Sequence, residues 1–165
     1  MTTPTPTPTT ETELAREWRL EVNMGTDAAP DWQLCPGVRE FQPASEPNIE
    51  DSSDYDGEGW GDNEKTAQTW ELSVTIRRKA NKAQKIYHPV HEAIRLAHFA
   101  WGDANKVHLR YMNREGLPEA YEGRAIPTWA PSGGEYTALG EVEVTFTGCG
   151  KLTPIDNPLA APETP

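Results

Sequence analysis

Cysteine is scarce in this chain, with only Cys35 and Cys149 among 165 residues. Two are too few for the multi-bridge framework that staples small extracellular domains, and the simplest reading keeps both as thiols. No apolar run reaches the ~20 residues that a membrane-crossing helix needs, and no basic segment followed by an apolar one opens the chain. The expectation is a soluble protein without a secretory signal and with no membrane partner. Basic residues are also in short supply: 15 Lys and Arg stand against 26 Asp and Glu, for a net charge of −11. Such a surface repels polyanions, which argues against gripping nucleic acid by phosphate neutralisation. The sequence has no Gly-x-Ser-x-Gly elbow, no phosphate-binding Gly-x-x-x-x-Gly-Lys and no His-Glu-x-x-His, so neither enzyme activity nor a cofactor is expected.

The acidity that is present is concentrated. Residues 1–64 hold 15 Asp and Glu against three Lys and Arg, whereas residues 65–165 hold 11 against 12. Its densest part is Asp51-Ser52-Ser53-Asp54-Tyr55-Asp56-Gly57-Glu58-Gly59-Trp60-Gly61-Asp62. Disordered segments are poor in aromatics. Tyr55 and Trp60 therefore suggest a loop that becomes ordered against something, within a long loop read as 42–66. Calcium is the first partner to test. An EF-hand alignment that sets Gly57 at the sixth position puts Ser52 at the first and Asn63 at the twelfth, so both key carboxylates are missing.

Periodicity predicts a mainly β fold, a sandwich or barrel with one flanking α-helix. Residues 17–23 and 70–78 alternate apolar and polar, with Trp18, Leu20 and Val22 on one face of the first and Trp70, Leu72, Val74 and Ile76 on one face of the second. Short strand pieces fit 32–34 and 38–41, and further strands fit 107–112 and 120–129. In the last strand, within 136–149, Val142, Val144 and Phe146 alternate with Glu141, Glu143, Thr145 and Thr147. The helix fits 88–101, with Pro89 in its first turn, Gly102 at its end, and Val90, Ile94, Ala97 and Trp101 as its apolar stripe. The domain is read as 14–156. It is flanked by an extended Thr/Pro-rich arm at 1–13 and a Pro/Ala-rich tail at 157–165.

Few of these residues suggest chemistry. His91 and His98 lie seven apart, too far for one metal, and together with His108 read as surface or core-edge positions, while His88 reads as a helix-start residue. Glu141 and Glu143 would suit glycoside hydrolysis only inside a sugar cleft; a solvated strand face is the simpler reading. Trp18, Trp70 and Trp101 fit a core. Trp32, Trp60 and Trp129, at loops or strand ends, could serve a carbohydrate or a protein interface.

Four segments in order carry a resemblance: the strand at 18–23, the loop Asp54-Tyr55-Asp56-Gly57-Glu58-Gly59-Trp60, the strand opening Lys65-Thr66-Ala67-Gln68-Thr69-Trp70-Glu71-Leu72, and the terminal stretch from Val142 through Gly148-Cys149-Gly150 to Pro154-Ile155. Over residues 14–158 the chain resembles a major tail tube protein of long-tailed bacteriophages, of the actinobacteriophage kind. The resemblance implies a structural virion protein of the phage tail, assembled in the bacterial host cytoplasm. It implies copies that form hexameric rings stacked into a tube, with other phage tail proteins as further partners and DNA passing through the lumen during ejection without specific binding. It also implies that Asp51, Asp54, Tyr55, Asp56, Trp60 and Asp62 belong to an inter-subunit loop. Glu141, Glu143, Thr145 and Thr147 would then face the lumen, where their negative potential keeps DNA from adhering. Two alternatives stand beside it: a carbohydrate- or protein-binding β-sandwich module, and a non-polymerising head–tail or tail-end ring protein of the same fold.

Overall fold

The computed structural model describes residues 10–160; most of the expected N-terminal arm and residues 161–165 of the expected tail lie outside them. The strands are β1 (Trp18–Asn23), β2 (Trp32–Leu34), β3 (Val38–Asp51), β4 (Asn63–Arg77), β5 (Ala80–Asn81), β6 (Ile86–Tyr87), β7 (Val107–Asn113), β8 (Ala120–Ser132) and β9 (Glu141–Pro154). The helix α1 is Pro89–Phe99. Seven of the strands form one antiparallel sheet in the order β2-β1-β7-β8-β9-β4-β3, and β5 pairs with β6 as a separate hairpin. The expected mainly β fold with one helix is what forms.

The sheet is curled. Trp18 on β1 stacks on Phe41 of β3, at the far edge of the strand order, with ring centroids 5.2 Å apart, and Tyr111 of β7 meets both edge-on. The concave face holds Leu20, Leu72, Ile76, Leu109, Val144 and Phe146, all essentially without exposure. Burying side chains of this size stabilises by roughly 1.5–3 kcal/mol each. Helix α1 closes the open side with Val90, Ile94 and Ala97. His88 caps it, its Nδ1 accepting from the Val90 N–H at 3.2 Å.

β8 runs through both Pro127 and Pro131. It pairs with β7 only from Ala120 to Ala125, so beyond that point its free side faces no strand and a missing N–H costs no ladder bond. Helix α1 lies against this part, and His98 Nδ1 sits 3.3 Å from the Pro127 carbonyl. β3 is the last strand at one end of the sheet and has a bare edge. Pro43 and Pro47, four residues apart on it, fall on the same side of the backbone, the side turned away from β4, and remove two donors from the open edge.

Four expectations are corrected. Trp129 lies in the core at 9% exposure, because the strand continues through the prolines and points it inward, whereas Trp101 is 90% exposed, since the helix has already ended at Phe99. His91 is fully buried rather than at the surface or core edge. Its Nδ1 accepts the Lys79 N–H and its Nε2 donates to the Pro36 carbonyl, so it ties the β2–β3 turn and the segment after β4 to the helix. Burial holds its pKa below the ordinary imidazole value. At the C-terminal end, Asn157 is buried and its amide donates to the Asn113 and Leu117 carbonyls, so the start of the expected tail packs against the β7–β8 turn. Both cysteines are free, and burial pushes the Cys35 thiol up to about 12.

Candidate functional site

The interval 42–66 is not a loop for most of its length. β3 and β4 pair from Val38–Ile76 to Asp51–Asn63, whereas β9 accompanies β4 only over Glu71–Arg77. Past Ser45 and Trp70 the hairpin therefore continues as a two-stranded ribbon with no third strand. At about 3.3 Å per residue, the six β3 residues from Glu46 to Asp51 carry it roughly 20 Å beyond the sheet. Every residue of that stretch is exposed, as is every β4 residue from Asn63 to Thr69. Glu, Asn, Lys, Thr and Gln dominate both of its faces, so the ribbon has no apolar side to bury against its own body.

The tip is nonetheless ordered, through polar contacts between its own residues. Ser52 N–H donates to the Asp62 carbonyl at 3.0 Å, and the Asp62 N–H donates to Ser53 Oγ at 2.9 Å. Asp51 Oδ1 accepts the Ser53 N–H at 2.8 Å, and hydrogen bonds from Ser53 hold its carboxyl below the usual carboxylate range. Asp54 Oδ1 accepts the Asp56 N–H, which starts a single 3-10 turn at Tyr55–Gly57, and Asp62 Oδ1 accepts the Asn63 N–H. The return passes through Glu58 and Gly59, both at positive φ. The turn presents Tyr55 at 105% and Trp60 at 81% exposure. Among the described residues no group of three His, Cys, Asp or Glu side chains is placed to hold a metal ion. The sequence-predicted residues Asp51, Asp54, Tyr55, Asp56, Trp60 and Asp62 thus come together at one tip. The paired strands that carry the tip were missed.

Glu141, Glu143, Thr145 and Thr147 do share the convex face of β9, opposite Val142, Val144 and Phe146. The register sets Thr75 and Glu40 in a row with Glu143, and Ser73 and Gln42 in a row with Thr145. Thr128 of β8 accepts the Thr145 N–H. Glu141 is pinned by Arg39 at 3.1 Å and Arg77 at 3.5 Å. The result is a polar face of hydroxyls and carboxylates across four strands, with Arg39 and Arg77 paired to Glu141 at one end.

The tryptophans proposed for ligand binding do not meet. Trp129 is in the core and Trp60 is at the arm tip. Trp32 lies on β2 against His108, with the Arg110 guanidinium 4.4 Å over its ring.

No protein-family profile matches the chain, and no curated protein does. Solved structures do. A chain of the virion of a native gene transfer agent particle superposes with a TM-score of 0.64 at 11% identity, covering 86% of this chain and 98% of that one. A chain from the tail of an empty gene transfer agent particle, refined helically with C6 symmetry, gives 0.65 at 11% identity, covering 87% and 99%. At that identity the likeness is one of fold.

Proposed function

We infer that the chain is a structural virion protein whose copies form hexameric rings, stacked into a phage-type tail tube that conducts DNA. The arm carries this reading. A two-stranded ribbon without an apolar face is marginal on its own, yet this one ends in a hydrogen-bonded tip that holds Tyr55 and Trp60 out to solvent. Exposed aromatics on a projection are what a protein contact uses as anchors. The fold it shares with a chain from a C6-symmetric tail supports a ring as the assembly. A heterologous contact closes into such a ring when the rotation allows. In the assembled tube the face of Glu141, Glu143, Thr145 and Thr147 lines the lumen, where carboxylates and hydroxyls let DNA slide without adhering.

Negative-stain imaging of the purified chain tests this. Long tubes with a central channel are expected from the wild type, and a folded, non-polymerising subunit from a variant lacking residues 52–62. Normal tubes from that deletion variant would remove the arm from the interface. A wild-type chain that stays strictly monomeric and binds an oligosaccharide would overturn the whole reading.

A further inference from the structure

β4 begins at the acidic tip and ends at its electrostatic opposite. Between Arg39 and Lys65 the chain carries nine Asp and Glu and no Lys or Arg. Between Glu71 and Glu92 it carries Arg77, Arg78, Lys79, Lys82 and Lys85 and no Asp or Glu. These basic residues border or lie within the β5–β6 hairpin. Arg77 and Arg78 are engaged by Glu141 and Glu92, each at 3.5 Å. Lys79, Lys82 and Lys85 are exposed and pair with no carboxylate among the described residues. The hairpin also has an apolar element: Ile86 is 52% exposed and Tyr87 41%, the Tyr87 ring held in place by the Arg78 guanidinium 3.5 Å above it. Both patches therefore combine exposed charge with exposed apolar rings or side chains, and their charges are opposite. The fifteen residues of β4 separate them, about 45–50 Å of extended chain.

We propose that the arm tip of one copy seats on the β5–β6 hairpin of the next. Asp56, Glu58 and Glu64, all exposed, approach Lys79, Lys82 and Lys85, while Tyr55 and Trp60 pack on Ile86 and Tyr87. This rests on the reading of the arm as a self-association element and names the surface that receives it. Arm-to-arm docking would set carboxylates against carboxylates, and complementary charge selects against such a partner. Two unlike patches at opposite ends of one strand cannot satisfy each other within a copy. They generate a heterologous, repeating contact.

The test uses three full-length variants: K79E/K82E/K85E, D56K/E58K/E64K, which spares the Asp54 and Asp62 side chains that order the tip, and the two sets combined in one chain. Circular dichroism confirms that each is folded, and sedimentation with negative stain measures assembly. Each triple variant alone is expected to raise the concentration needed for assembly by roughly tenfold or more. The combined chain is expected to recover it, because the charges are exchanged and still complementary. Normal assembly by the lysine triple variant, while deletion of 52–62 still abolishes tubes, would overturn the docking surface and leave the arm's role intact. Normal assembly by the deletion variant overturns both, and so does a combined variant no better than either triple variant together with unchanged assembly on deletion. Failure of the combined chain alone to recover overturns the charge pairing.

Discussion

The two halves of β4 both pair with β3, with a bulge at Thr66 in the arm, yet they differ in everything else. From Trp70 to Arg77 every second side chain is buried and β9 pairs along the far side. From Asn63 to Thr69 nothing is buried and no third strand is present. Backbone pairing alone thus extends a hairpin but does not anchor it; apolar burial does that for the first half and is absent from the second.

Substitutions can widen or collapse that difference. Phe146→Ala, at a fully buried position behind Leu72, should destabilise the monomer by about 3–5 kcal/mol, read as a large drop in the urea midpoint. Gly148→Val comes next. A Cβ there would lie 2.4 Å from Trp70 Nε1, so the indole that donates to the Gly150 carbonyl must move. A loss of about 1–3 kcal/mol with a shift in tryptophan emission is expected.

His91 gives a smaller, pH-dependent effect. Its folded pKa lies below its ordinary value of 6.5 because of burial. The unfolded chain therefore takes up the proton first, and stability that is full above 6.5 is lost as the pH falls toward the folded value. The urea midpoint at pH 5.5 should fall below that at pH 7.5. His91→Gln should lower both midpoints and narrow the gap, and an unchanged gap would assign the dependence to other groups. The smallest effect belongs to the arm. Trp60→Ala should change monomer stability by less than about 0.5 kcal/mol, while assembly, read by sedimentation, falls sharply. A Trp60→Ala loss comparable to that of Phe146→Ala would mean that the tip packs on its own body.

The buried half of the molecule was legible in the sequence because burial leaves a period. The alternation from Trp70 to Ile76 and from Val142 to Phe146 marked inward-facing strands, and Pro89 with Gly102 bracketed the helix to within one residue at its start and two at its end. The arm left no period, since both of its faces meet water, and Pro43 and Pro47 read as loop residues when they are edge-strand residues. Trp129 was misplaced by the same signal, because Pro127 and Pro131 mark a strand side with no neighbour rather than a strand end. The acidic tip was legible as a segment of interest from its aromatics and charge. Its basic counterpart on β5–β6 was passed over as a connection, although five basic residues without an intervening carboxylate were there to be seen.

The two prolines on the bare edge of β3 bear on how free copies of the chain meet one another. A chain with an open strand edge is exposed to edge-to-edge strand addition, which needs a regular row of N–H donors. Pro43 and Pro47 interrupt that row at every other outward position. Two free copies then meet without an uninterrupted edge on which to add strands.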